Sequence, residues 1–187
     1  MIKALVLVVL AGCALDAQTL DDQEVITTVI LDFDGTTFSF DDVDGDGGEP
    51  PVIDDITLAP GDYTLSIRFQ NGLEDPPEEI TEEVRDESAQ HLLLFTGSAV
   101  VGPATTNTSG PLAHSYADTD ANGLPIGLEN MIVATPGAGL LTLTLRHLPP
   151  ELPPEKSADT VAIARDDGLD ALGGATDAQV SFSVTVE

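Results

Sequence analysis

Alternation of apolar and polar residues with a period of two is the feature that most constrains this chain. It is clearest at Val180, Phe182, Val184 and Val186, which are separated by polar residues. Side chains of a strand point alternately to opposite faces, so this pattern indicates strands with one buried face. The same inward positions recur at Val25, Thr27, Val29, Leu31 and Phe33; at Tyr63, Leu65, Ile67 and Phe69; and at Leu141, Leu143 and Leu145. We therefore predict an all-β fold, an Ig-like or Greek-key antiparallel β-sandwich of about seven to nine strands with one short helix.

The one predicted helix covers roughly residues 77–87. Asp75 is placed as an N-cap, prolines follow in the first turn, and a glutamate stands three residues after Asp75. Ile80 and Val84 would share its buried face. A long stretch, residues 148–176, is rich first in proline and then in aspartate and glycine, and residues 160–164 within it are predicted as a short edge strand.

The first thirteen residues have the pattern of an export signal. Lys3 precedes the apolar run ALVLVVL, and Leu10-Ala11-Gly12-Cys13 follows directly. Seven apolar residues are too few for a membrane-spanning helix, which needs about 20, whereas a secretory signal has this charged start and short apolar core. The four residues that end at Cys13 resemble the lipobox of bacterial lipoproteins. This resemblance implies removal of residues 1–12 and lipidation of Cys13. The residues that follow predict an acidic tether (13–22) and one β-sandwich domain (23–187). We expect the lipid to anchor the protein to the outer membrane on its periplasmic or cell-surface face.

The balance of charge is strongly acidic. The chain has 33 acidic and 6 basic residues, for a formal net charge of −27. Such a surface repels nucleic acid and anionic lipid and attracts cations or basic partners, although most of the carboxylates are expected simply to solvate the protein in salty surroundings. Cys13 is the sole cysteine, so no internal disulfide is expected.

Six segments resemble, in order and spacing, one small family of bacterial lipoproteins over nearly all of residues 23–187. They read EVITTVILDF, DVDGDGGEPP, EEITEEVRDESAQHLLLF, DTDANGLPIGLE, LTLTLRHLP and GGATDAQVSFSVTV. Members are often labelled "type 1 periplasmic binding fold superfamily protein", a fold name that this sequence does not match, because it has no helices between its strands. Members are often encoded beside TonB-dependent outer-membrane receptors, so the resemblance implies an accessory role in nutrient or metal uptake, and it extends to His91 and His147.

Signatures of common enzyme classes are absent from the sequence. Ser98 lies in Thr-Gly-Ser-Ala rather than in a nucleophile elbow, and neither a phosphate-binding glycine loop nor a His-Glu-x-x-His motif occurs. The chain is therefore expected not to be an enzyme.

Two acidic loops have the oxygen-ligand spacing of calcium sites. In the loop that starts at Asp118, positions 1, 3, 5 and 12 are Asp118, Asp120, Asn122 and Glu129, with glycine at position 6. The earlier loop places Asp42, Asp44 and Asp46 at positions 1, 3 and 5 but has Ile53 at position 12, so its closing ligand is missing. Asp-Gly and Asn-Gly are also ordinary hairpin turns, and this alternative stays open for both loops.

The histidines form the third candidate site. His147 ends the strand that carries Leu141, Leu143 and Leu145 and shares their inward parity, while His91 opens a strand four residues after Glu87. If the two strand ends meet, two imidazoles and a carboxylate would suit zinc or a similar divalent ion. His114 is a weaker third candidate, and the ordinary alternative is a pair of rim histidines bonded to backbone or water.

Two functions follow from these patterns. The first is a lipid-anchored binding or accessory protein of the cell envelope that assists an outer-membrane receptor in nutrient or metal uptake. The alternative is a structural or adhesion-type surface β-sandwich whose Asp-rich loops are stabilised by calcium.

Overall fold

The computed structural model describes residues 25–45 and 48–187, which form two β-sheets packed face to face. The predicted all-β sandwich is confirmed, with twelve strands and two α-helices in the described residues where about seven to nine strands and one helix were predicted. Its strands are β1 (Thr28–Phe33), β2 (Thr36–Asp41), β3 (Val52–Ile53), β4 (Ile56–Leu58), β5 (Gly61–Asn71), β6 (Glu78–Glu79), β7 (His91–Thr96), β8 (Val100–Val101), β9 (Leu112–Tyr116), β10 (Glu129–Ala134), β11 (Gly137–His147) and β12 (Ala175–Val186). The helices are α1 (Thr81–Asp86) and α2 (Thr160–Asp167), and a 3-10 turn spans Leu169–Ala171.

The larger sheet has the strand order β3-β2-β1-β5-β10-β9-β8, with β6 added beside β5, and the smaller sheet has the order β4-β12-β11-β7. Most neighbouring strands are antiparallel, while β8 with β9 and β4 with β12 are parallel. The central strands β11 and β12 of the smaller sheet are the longest pair, and they are joined by residues 148–174, which we call the strap.

The main core lies between the two sheets and follows the predicted alternation. On β5, Leu65, Ile67 and Phe69 are buried, and on β12 the buried positions begin at Val180 and continue at every second residue. The prediction is wrong at Val25, which lies before β1 and is 50% exposed. Burial of the two facing apolar surfaces is the main contribution that holds the sandwich together.

A smaller apolar cluster covers the outer face of the smaller sheet. It consists of Leu92, Leu94, Ala104, Leu148 and Leu172. The helix α2, which belongs to the strap, packs against this cluster. Consequently β7 is buried on both of its faces from its first residue to its fifth. The strap therefore acts as a third layer and leaves the start of β7 shielded from water.

The predicted helix over residues 77–87 is present only in its second half, as α1. Glu78 and Glu79 instead form β6, which pairs with the end of β5 through Gln70 and Asn71. The N-cap is Ile80 rather than Asp75, because these sheet hydrogen bonds hold the preceding residues in an extended conformation. Ile80 and Val84 are buried as predicted.

The predicted edge strand at residues 160–164 is wrong, since these residues form the start of α2. Val161 and Ala164 both pack against the outer cluster. Residues three positions apart lie on the same face of a helix, so this packing favours a helix over a strand. Thr160 accepts the N–H of Ser157 at 2.8 Å just before the helix, and Gly168, with φ +87°, ends it. Neither helix of the described residues is long and apolar enough to cross a membrane.

A candidate metal centre at the end of the smaller sheet

His91 and His147 are direct cross-strand partners at one end of the smaller sheet. β7 and β11 run antiparallel in a register that pairs the first residue of one with the last residue of the other. The two imidazole rings stack with their centroids 4.6 Å apart and their planes 19° from parallel. The two strand ends, which had to meet for the predicted site to form, are thus adjacent.

Glu87 joins the two histidines from the end of α1. Its N–H donates to the carbonyl of Glu83 at 2.9 Å, and the turn that follows leads directly into β7. The Glu87 carboxylate Oε2 lies 3.8 Å from His147 Nε2. One donor atom from each of Glu87, His91 and His147 lies within 4.8 Å of the others, so the three predicted ligands are brought together; whether they bind a metal stays a prediction.

The three side chains of the cluster differ in their exposure to solvent. The His91 side chain has no exposed surface, that of His147 is 15% exposed, and that of Glu87 is 49% exposed. Gln90 places its Oε1 3.3 Å from His147 Nε2, so this nitrogen faces two oxygen atoms. An ion would therefore approach from the Glu87 side and reach the buried ring last.

Asp177 is a second acidic group at this site, and the sequence pattern did not predict it. Its Oδ2 lies 3.4 Å from His91 Nε2, and its side chain is 1% exposed. It stands at a β-bulge, because Leu145 pairs with Ala178 while Arg146 pairs with Thr176. An extra residue at a bulge redirects its side chain, and only the pairing register, which is not visible in one sequence, could have revealed it.

The carboxylates of the loop that begins at Asp118 are bonded within the protein. Asp118 accepts the backbone N–H groups of Gly127 at 2.8 Å, Leu128 at 2.9 Å and Glu129 at 3.1 Å. Glu129 belongs to β10, and its carboxylate accepts the hydroxyl of Ser66 at 2.7 Å. Calcium at this loop stays a prediction, but it would have to replace these hydrogen bonds.

The loop also holds a cation that belongs to the chain itself. Lys156 of the strap places its Nζ 3.0 Å from Asp120 Oδ2 and donates to the carbonyl of Ser88 at 2.7 Å. Asp120 Oδ1 accepts the N–H groups of Asn122 and Leu124. The Lys156 ammonium group lies beside Asp120, the third residue of the predicted calcium loop, and compensates the negative charge that a bound calcium ion would otherwise compensate.

Both members of this ion pair are shielded from water. The side chains of Lys156 and Asp120 are 1% and 0% exposed. Burial alone would raise the pKa of Asp120, but the N–H of Leu124 and the Lys156 ammonium outweigh burial and lower it. Burial lowers the pKa of Lys156, and the Asp120 carboxylate opposes this shift only in part. The pair ties the strap to the loop between β9 and β10.

The earlier acidic loop is described only in part. The N–H of Asp42 donates to the carbonyl of Thr27 at 2.8 Å, and Asp44 Oδ2 accepts the N–H of Glu49 at 2.7 Å. Asp46 lies outside the described residues, and so does Cys13. Calcium at Asp42, Asp44 and Asp46 therefore stays a prediction.

His114, the weaker third histidine, lies on β9 and is not part of the cluster. Its ring stacks on Phe95 with centroids 4.1 Å apart, and its Nε2 lies 2.9 Å from Asn130 Oδ1. Asn130 in turn donates to the carbonyl of Gly127 at 2.7 Å. Burial lowers the pKa of His114 to about 4, so the ring is neutral at pH 7 and packs as part of the core.

Comparison of the chain with protein-family models, with curated proteins and with solved structures finds no match.

Proposed function

We propose that this chain is a lipid-anchored protein of the bacterial cell envelope that binds zinc, or a similar divalent transition ion, at Glu87, His91 and His147. It is a binding protein rather than an enzyme, and it assists a TonB-dependent outer-membrane receptor in metal uptake. The observation that carries the proposal is the stacked, cross-strand histidine pair with a carboxylate beside it.

The chemistry of the three donors favours a transition ion. Two imidazole nitrogens and one carboxylate oxygen are the donor types that zinc takes in proteins. Calcium and magnesium prefer sets of oxygen ligands, which this cluster does not supply. The site therefore suits zinc better than it suits the ions expected at the Asp-rich loops.

Exposure and charge support a site that exchanges its ion. Glu87 is half exposed, so the outer ligand can swing away and open a path to His147. The excess of carboxylates over basic groups attracts cations to the surface. A lipid on Cys13 would hold this site close to the membrane in which an uptake receptor lies.

Zinc titration by calorimetry tests the metal site. The full chain, extracted from membranes in detergent, is expected to bind one zinc ion, whereas calcium should give no heat at this site. His91→Gln and His147→Gln each remove one donor to the metal. Loss of a residue that only supports a ligand typically weakens metal binding about 10–100-fold, so loss of a ligand itself should weaken it more.

The matched control is His114→Gln, which removes the third histidine outside the cluster and should leave zinc affinity unchanged. Equal binding by all four proteins, or no binding by the wild type, would contradict the proposal.

Mass spectrometry of the membrane-extracted protein tests the anchor. A chain that starts at Cys13 and carries lipid on that residue is expected, because the residues before it match a lipobox. Cys13→Ser removes the thiol that accepts the lipid and should leave the protein unprocessed or soluble. Wild-type protein that is freely soluble and carries no lipid would show that the anchor prediction is wrong.

A further inference from the structure

We infer that Asp177 is a fourth ligand of the proposed ion, so that two histidines and two carboxylates close the site. The inference rests on the proposed function and adds the residue that sets its coordination number.

Asp177 is a buried carboxylate whose charge is poorly compensated by hydrogen bonds. Neither of its oxygens accepts a hydrogen bond from the described residues, although its side chain is 1% exposed. The neighbouring guanidinium of Arg146 donates instead to Thr176 Oγ1 and to the carbonyl of Gly173, both at 2.6 Å. Arg146 is close enough to attract Asp177 electrostatically, but a buried carboxylate that accepts no hydrogen bond is still costly unless a further partner binds its oxygens.

The orientation of the His91 ring points to the position of that cation. His91 Nδ1 lies 3.3 Å from the Glu87 carbonyl oxygen, which can only accept, so the ring proton belongs on Nδ1. The lone pair of Nε2 then faces Asp177 Oδ2. Metal-binding histidines commonly donate their other N–H to a backbone carbonyl in this way.

The separation of these two atoms matches a shared metal better than a shared proton. A charge-assisted N–H···O bond is about 2.7–2.9 Å long, whereas His91 Nε2 and Asp177 Oδ2 are 3.4 Å apart. Zinc binds nitrogen and oxygen at about 2.0–2.2 Å, which puts tetrahedral ligand atoms about 3.4 Å from one another. Glu87 Oε2 and His147 Nε2 are 3.8 Å apart, and Asp177 contacts this group through His91, so ion binding would draw Glu87 and His147 towards the pair of His91 and Asp177.

The four ligands come from parts of the chain that are far apart in sequence. Glu87 follows α1, His91 starts β7, His147 ends β11, and Asp177 lies near the start of β12. Four protein ligands fill the tetrahedral positions around the ion, which favours zinc over ions that need six or more ligands.

Cobalt and zinc binding by Asp177→Asn test the inference, with Asp167→Asn as a control at an exposed aspartate. Wild type and the control should give the strong visible bands of four-coordinate cobalt. Asp177→Asn should give weaker bands, because water enters the coordination sphere, and its zinc affinity should fall by at least about 100-fold. If the wild type binds no zinc, the proposed function fails. If Asp177→Asn keeps the wild-type affinity and cobalt spectrum, only the role of Asp177 is overturned.

Thermal melting in the presence of chelator separates a ligand from a structural partner. Without metal, Asp177→Asn should melt at the wild-type temperature or above it, because the substitution removes a poorly compensated buried charge. A lower melting temperature would mean that Asp177 stabilises the fold without metal, through its electrostatic contacts with His91 and Arg146, and that result would overturn the inference.

Discussion

Lys156→Met is expected to lower the free energy of unfolding by about 3 kcal/mol or more, because it leaves the Asp120 carboxylate buried without its cation. The methionine side chain keeps most of the volume of the lysine, so the change removes the charge and not the packing. The Nζ bonds to Asp120 and to the carbonyl of Ser88 are both lost. Urea unfolding of the two proteins at pH 7 measures the difference.

The double variant Lys156→Met/Asp120→Asn should recover part of this loss, since the amide removes the uncompensated charge and its oxygen can still accept the N–H groups of Asn122 and Leu124. The control is Arg165→Met, which removes the same charge from an exposed pair with Asp166 and should change stability little. Similar small losses for Lys156→Met and Arg165→Met would show that the buried pair does not hold the strap.

His114 should make the domain sensitive to acid. The ring has a pKa of about 4 in the folded state and an ordinary value of 6.5 when the chain is unfolded. Between pH 6.5 and pH 4, His114 is mostly protonated in the unfolded chain but mostly neutral in the folded chain. The free energy of unfolding therefore falls as the pH drops towards 4. The loss from this residue approaches about 3 kcal/mol, at 1.36 kcal/mol for each pKa unit.

His114→Gln isolates this contribution from that of the carboxylates. Glutamine can donate to Asn130 Oδ1 as the neutral imidazole does, but it does not titrate. The variant loses the stacking on Phe95 and should be less stable at pH 7. Between pH 7 and pH 4.5, however, its free energy of unfolding should fall by about 2 kcal/mol less than that of the wild type. Parallel stability curves for the two proteins would refute a buried neutral His114.

The fold could be predicted from the sequence wherever one face of a strand meets the core. Alternation along β12 and β5 identified the inward residues because burial imposes that period directly. The prediction failed at residues 160–164, which pack on the outer cluster as a helix. It also failed at Glu78 and Glu79, whose extended conformation depends on pairing with β5. Both errors come from partners that are distant in sequence and leave no local pattern.

The sequence could predict the candidate site only where the alternation of inward and outward residues along a strand determines which side chains share a face. His147 shares the inward parity of Leu145, and Glu87 precedes His91 by four residues, so a cluster could be suggested if the strand ends met. Their register is a property of the assembled sheet. Asp177 depends on a bulge, and the bond between Lys156 and Asp120 depends on the path of the strap, so neither could be read from local spacing.

The position of β12 has a consequence for the order in which the molecule folds. This strand lies between β4 and β11, and its parallel pairing with β4 joins Val184 to Ile56. Such distant pairings are slow to form, because the intervening chain must be closed first. The smaller sheet is therefore incomplete until residues 175–186 have docked. Asp177 joins His91 and His147 only in that finished sheet, so a chain still being synthesised would lack the fourth ligand of the proposed metal site.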